Sequence, residues 1–187
     1  MTNDLWFFWK NYFTRNELEK INALFKEHGT SEPVSYQAAT PKNEKLKNVS
    51  TVKQVEWKFC DSLLRGIDEE VILTNRLNYG YHLDANASNS SVRLNTYEQT
   101  DNYNWHQDGS NDTRFDFKFT VLVNTSLESY EGGDFQIFQQ GGPITIGDLN
   151  TSGNAIMFKS DIPHRVTAVT KGKRSSLVYW KEGPKFV

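Results

Sequence analysis

From Asn75 onward the chain is cut into short alternating segments, at residues 92–98, 103–107, 116–125, 133–138, 154–158, 163–169 and 174–180, separated by Gly, Asn, Asp and Ser. Runs of this length and spacing predict a β-sandwich or barrel. The first half reads differently. Thr14 and Glu17 make a capping box, Phe13 and Leu18 stand where a hydrophobic staple needs them, and Leu18, Ile21, Leu24 and Phe25 form one apolar stripe of a helix that Gly29 ends. Val52, Val55, Phe59 and Leu63 predict a second helix from about Ser50 to Leu64, and a shorter one follows around Asp68 to Leu73. Residues 30–48, polar with two prolines, read as a surface loop, and Asn86 to Ser91 as another. The expected architecture is mainly β with supporting helices: one domain over 1–187, helical support in 1–75 and a jelly-roll core in 76–187. The mouth of that core is the natural place for a site.

Composition narrows the function classes. Twenty-one basic against twenty-three acidic residues give a net charge of -2, and no stretch concentrates Lys and Arg, so no nucleic-acid partner is expected. Cys60 stands alone and no Cys pair has zinc-site spacing, which suits a reducing compartment, with Cys60 buried and inert. The apolar run from Leu5 to Trp9 stops at Lys10, too short for a signal-peptide core or a membrane span. It reads as a hydrophobic edge strand, with a partner-binding patch as the alternative. A cytoplasmic protein with no membrane partner is expected.

Successive side chains of a strand alternate, so His106 and Asp108 in Trp-His-Gln-Asp can offer an imidazole and a carboxylate to one point. Such a pair is expected by chance about 0.2 times in a chain with this many His and Asp. His82 and Asp84 have the same spacing. Context separates the two pairs: His106 ends a predicted strand with Gly109 and Ser110 opening a loop beyond it, whereas His82 lies among Tyr79, Tyr81 and Leu83, the alternation of a packing strand. A third ligand should come from a later strand, where His164 is available; its alternative is a satisfied, half-buried histidine. His28 falls near a helix C-terminus, where a cation complements the dipole. Two histidines and one carboxylate on one face of an octahedron leave three positions open, the arrangement of non-haem iron(II) oxygenases.

Arg174 precedes the apolar run Leu177, Val178, Tyr179 and Trp180. A guanidinium on a buried strand should have an anionic partner, and a planar carboxylate fits its fork. Ser176, on the same face, can add a hydroxyl. The alternative is a salt bridge to an Asp or Glu near a sheet end.

From Leu94 to Trp180 the sequence resembles the prolyl 4-hydroxylase-like branch of the 2-oxoglutarate and Fe(II)-dependent dioxygenases. The resemblance rests on Tyr97 nine residues before His106, the quartet Trp105 to Asp108, Tyr130-Glu-Gly-Gly-Asp-Phe135, and His164-Arg-Val through Gly172, Arg174 and Trp180. It implies a double-stranded β-helix, iron held by His106, Asp108 and His164 at the open end, and 2-oxoglutarate bound through one carboxylate and its keto oxygen. Arg174 takes the place of the residue that binds the distal carboxylate, Tyr97 that of a tyrosine hydrogen-bonding the same molecule, and Trp180 would line the pocket. For Tyr97 and Trp180 a core-aromatic role is the alternative. Where several relatives carry a Thr after the Gly132–Gly133 bend, this chain has Asp134 and Phe135, so that contact is absent or supplied by Thr120.

The implied reaction couples decarboxylation of 2-oxoglutarate by molecular oxygen to hydroxylation of an unactivated carbon, with ascorbate a candidate auxiliary reductant. Trp105 and Tyr103 beside the ligands would exclude water. Peptidyl proline is the leading substrate, and the loops Ser110 to Arg114 and Ser31 to Asn48 are candidates to clamp it. The alternatives are a free amino acid or other small molecule and, from another class, a jelly-roll binding module without catalysis.

Overall fold

A computed structural model describes residues 5–31, 47–48, 51–84, 91–110, 112 and 114–185. The first part of the chain forms β1 (Trp6–Trp9), α1 (Arg15–His28), β2 (Thr30–Ser31), β3 (Lys47–Asn48), β4 (Thr51–Glu56) and α2 (Trp57–Thr74), which ends in a π-helical turn (Asn75–Tyr79). There follow β5 (Ser91–Tyr97), β6 (Asn102–His106), β7 (Phe115–Asn124), β8 (Glu131–Gly132), β9 (Phe135–Gln139) and β10 (Gly142–Thr145). After a 3₁₀ turn (Gly147–Asn150) come β11 (Ala155–Lys159), β12 (His164–Val166), β13 (Val169–Lys171) and β14 (Arg174–Pro184).

The strands make a seven-stranded sheet in the order β1-β11-β7-β14-β5-β4-β2 and a five-stranded sheet in the order β10-β9-β12-β6-β3, with β8 and β13 pairing apart. The architecture is the jelly roll expected from the spacing of the second half, with Trp6–Trp9 as its hydrophobic edge strand on β11. No helix among the described residues is long and apolar enough to cross a membrane.

The first helix follows its signals. Thr14 accepts from the Glu17 amide while Glu17 reaches back to Thr14, and the Gly29 amide closes the end on Phe25. Phe13, Leu18, Ile21 and Phe25 are buried against α2 and the outer face of the large sheet.

The second helix is where expectation and structure part. Residues 51–56 are a strand, and a single helix runs from Trp57 to Thr74, taking in the separate short helix expected near Asp68. The spacing of Val52, Val55, Phe59 and Leu63 mimics a helix because β4 is buried on both faces. Val52 joins the core between the sheets and Val55 the core under the helices. Phe59 is exposed rather than part of an apolar stripe. Nor is there a packing strand around His82: Tyr79 belongs to the π-helical turn and residues 80–84 are irregular. Cys60 is buried on the inner face of α2, and burial pushes its thiol up to about 12.

The large sheet separates two cores by strict alternation. On β5, β7, β11 and β14, Val92, Leu94, Phe119, Val121, Val123, Ala155, Met157, Leu177 and Tyr179 face the helices. Their neighbours in sequence face the small sheet, and among them are the residues that build the site.

Candidate metal centre

His106 ends β6 and His164 begins β12, and these strands pair antiparallel with His106 opposite His164. Asp108 follows two residues after His106, and its amide is tied to the Ser160 carbonyl at 2.9 Å, beyond the end of β11. The pairing brings one imidazole nitrogen from each histidine and a carboxylate oxygen of Asp108 within 4.8 Å of one another.

Both imidazoles are turned the same way. His106 Nδ1 lies 2.7 Å from the Asn104 carbonyl and His164 Nδ1 lies 2.9 Å from the Ile162 carbonyl. A carbonyl can only accept, so each Nδ1 carries the hydrogen, and the lone pair of each neutral ring is on Nε2. Those Nε2 atoms stand 3.7 Å and 3.6 Å from the Asp108 carboxylate oxygens. That is too long for hydrogen bonds, so the three groups do not hold one another. Two imidazole lone pairs and a carboxylate converging on one point are a donor set that fits a divalent ion such as Fe(II).

Burial works against ionisation of Asp108, but the positive charge that His164 and His106 carry when protonated, together with hydrogen bonds from Trp180 and Thr120, outweighs it. They hold the carboxyl below its ordinary range. The group is therefore a carboxylate at neutral pH, as ligation requires.

A cavity of about 370 Å³ opens beside the triad. Tyr97, Tyr103, Phe135, Val166 and Trp180 are among its walls, with Arg93 and Asn95 on the same face of β5 as Tyr97. Tyr103 stacks on His106 with ring centroids 3.6 Å apart. Trp105 does not join it. One extra residue on β6 between the pairs His164–His106 and Val166–Tyr103 bulges the strand, so Tyr103 and His106 share the inner face. Trp105 packs edge-on to Phe138 and under the guanidinium of Arg165 instead, away from the cavity.

Behind Tyr97 lies Arg174, opposite it in the β14–β5 register and fully buried. Its Nη1 donates to Ser176 Oγ at 3.0 Å, while Nε and Nη2 have no hydrogen-bond partner. The salt bridge that would explain a buried guanidinium is not among its contacts. Two orphaned donors in a buried place cost stability unless an acceptor fills them, and the carboxylate of a bound dicarboxylate fits both. Burial pushes the Tyr97 phenol up to about 12, against the opposing pull of Arg174, so its hydroxyl stays a donor at neutral pH.

Gly133 makes this arrangement possible. It adopts φ +65°, and a Cβ there would come within 2.8 Å of Arg174 Cδ. The bend is thus both a tight turn and a close approach to the buried arginine.

Trp180 lines the cavity, and its indole N–H also reaches Asp108. Thr120 does not replace a contact near the Gly pair; its hydroxyl is directed to Asp108 as well. At the positions after that pair, Asp134 accepts from Asn150 and Phe135 is a buried wall. His82 and Asp84 lie elsewhere, against β14, where the Asp84 amide donates to the Glu182 carbonyl at 2.9 Å. Arg93, Asn95 and Phe117 are cavity residues that sequence reasoning missed. Counting back by two and four from Tyr97 along β5 would have found the first two.

Residues 92–182 match the family model of the 2OG-Fe(II) oxygenase superfamily. Over this stretch, just under half of the chain, the sequence is similar to that superfamily. A PKHD-type hydroxylase of Idiomarina loihiensis is 34% identical over 93 residues, which are 48% of this chain and 40% of that protein. The chain thus matches about two fifths of the length of this relative. Among solved structures, a Pseudomonas putida prolyl-4-hydroxylase superposes with a TM-score of 0.70 at 16% identity, covering 96% of this chain and 92% of that one. A prolyl hydroxylase from Trichoplax adhaerens, in complex with a hypoxia inducible factor peptide fragment, gives 0.64 at 16% identity over 96% and 84%. HygX from Streptomyces hygroscopicus, with nickel and 2-oxoglutarate bound, gives 0.63 at 11% identity over 98% and 84%.

Proposed function

We propose that the protein is an Fe(II)- and 2-oxoglutarate-dependent dioxygenase that hydroxylates an unactivated carbon, with a peptidyl proline as the substrate. The observation that carries the reading is a two-histidine, one-carboxylate cluster lining one cavity, together with a buried arginine, packed behind the cavity residue Tyr97, whose Nε and Nη2 lack partners. A metal alone explains the first and a dicarboxylate the second; an oxygenase of this family uses both.

In this reading His106, Asp108 and His164 hold the iron, and Arg174, Ser176 and Tyr97 hold the distal carboxylate of the co-substrate. Bound there, Fe(II) and 2-oxoglutarate would, with molecular oxygen, supply oxidative decarboxylation to succinate and carbon dioxide coupled to hydroxylation of a C–H bond. The chain's own residues bind, orient and keep dry. The Nδ1 bonds to main-chain carbonyls fix which nitrogen each histidine presents. Phe135, Val166 and Tyr103 cover the triad with apolar surface and restrict water around it.

The prolyl reading is supported by the likeness to prolyl hydroxylases, one of them solved with a peptide fragment. Of the loops suggested as a clamp, residues 32–46 lie outside the described residues. In the other, Asp112 Oδ1 caps the amides of Arg114 and Phe115 at 2.7 Å and 3.0 Å.

Succinate release against a panel of proline-containing peptides and free amino acids tests the proposal. Stimulation by peptides alone supports it. Stimulation by free amino acids alone would move the substrate to a small molecule, and no succinate under any condition, with Fe(II) supplied, would sink the enzymatic reading.

A further inference from the structure

One oxygen of Asp108 carries two hydrogen bonds. Thr120 Oγ1 donates to Oδ2 at 2.7 Å and Trp180 Nε1 donates to the same atom at 3.0 Å. The two donors face each other across neighbouring strands, Trp180 of β14 opposite Thr120 of β7. They reach the carboxylate together because the large sheet holds them side by side.

Each donor is braced. The Thr120 hydroxyl lies 3.0 Å from Ser160 Oγ, and the Ser160 carbonyl takes the Asp108 amide at 2.9 Å. The Trp180 ring is stacked on Phe117 at 5.0 Å and 14°, and the Arg93 guanidinium lies 5.0 Å over it. Asp108 stands past the end of the small sheet, yet its main chain and side chain are both fastened to groups of the large one.

A carboxylate oxygen has two lone pairs, and Oδ2 accepts from two donors. Oδ1 receives neither bond. We infer that Thr120 and Trp180 are positioning residues that make Asp108 a one-oxygen ligand, offering Oδ1 to the metal and withholding Oδ2. This rests on the metal reading proposed above.

The difference matters by simple counting. With one oxygen from Asp108, an octahedral ion keeps three positions open, enough for a chelating 2-oxo acid and for oxygen. A carboxylate that closes through both oxygens takes one of them away. Thr120 and Trp180 thus guard a coordination position without themselves being ligands of the metal.

The test is anaerobic titration of the Fe(II)-loaded protein with 2-oxoglutarate, read by the metal-to-ligand charge-transfer band, with Fe(II) affinity measured separately by calorimetry. Thr120→Val keeps the shape and removes the hydroxyl; Trp180→Phe keeps a ring and removes the N–H. Either variant should still take up Fe(II) but bind 2-oxoglutarate about 10- to 100-fold more weakly, and Thr120→Ser should restore the wild-type titration. Wild-type 2-oxoglutarate affinity in Thr120→Val would overturn the inference, including when only Fe(II) affinity has fallen, since the donors would then merely hold Asp108 in place. Should Trp180→Phe fail to fold, the near-isosteric Thr120→Val carries the decision alone. Absence of any band in the wild-type protein, by contrast, would sink the metal and co-substrate reading itself, and this inference with it.

Discussion

The two faces of the seven-stranded sheet are made from the same strands and could hardly be less alike. Toward the helices, Val92, Leu94, Phe119, Val121, Leu177 and Tyr179 pack on Leu18, Ile21, Leu64, Ile67 and Val71 in a core of apolar side chains. Toward the small sheet, one residue along, stand Asn95, Tyr97, Thr120, Arg174, Ser176 and Trp180, of which all but Trp180 are buried despite their polar groups. A strand whose two faces are both buried can give one to stability and the other to chemistry. The difference is measurable, because damage to one face should leave the work of the other intact.

The largest separation is expected from His106→Ala. It removes one of three converging donors, so Fe(II) affinity should fall by more than about 100-fold, the upper end of what loss of an outer-shell partner costs. Thermal stability of the metal-free protein should change little. Equal losses of both would mean that the site and the core are not separable.

Next comes the helix-facing core. Leu64 is fully buried there, and Leu64→Ala should cost about 2–5 kcal/mol in denaturant titration. The fraction still folded should bind 2-oxoglutarate and Fe(II) as the wild type does. Loss of binding per folded molecule would show that the two faces are coupled through the strands.

A smaller change is expected from Arg174→Lys. The charge is kept but the fork and the bond to Ser176 are lost, so 2-oxoglutarate should bind about 10-fold more weakly, or about 1.4 kcal/mol. Unchanged co-substrate affinity would release Arg174 from the role proposed for it. The smallest effect belongs to His82→Ala, which should stay within about 0.5 kcal/mol of wild-type stability and leave Fe(II) affinity unaltered. Impaired metal binding in this variant would reopen the choice between the two His-Asp pairs.

Much of this division is legible in the sequence, and the gaps have physical causes. The capping box at Thr14 is local chemistry and reads directly. The triad reads from order and spacing because strand alternation fixes where His106 and Asp108 point. Strand β4 misleads because both of its faces are covered, which erases the period of two, and because Glu56 caps α2 without a side-chain hydrogen bond that would have marked its start. The inward turn of Tyr103 and the outward turn of Trp105 depend on a bulge, for which no residue of β6 gives a sign. The bond of Thr120 and Trp180 to one carboxylate depends on the register between strands sixty residues apart in the chain, which composition does not encode.

Gly133 has a consequence for which molecules the cavity can admit. With no side chain at that position, Arg174 Cδ lies against the turn where a Cβ would come within 2.8 Å of it. In an enzyme of the proposed kind, the chain length of the acceptable 2-oxo diacid is then gauged by a missing methyl group. Any residue larger than glycine would have to displace Arg174 or the turn, and the length of diacid that fits would change with it.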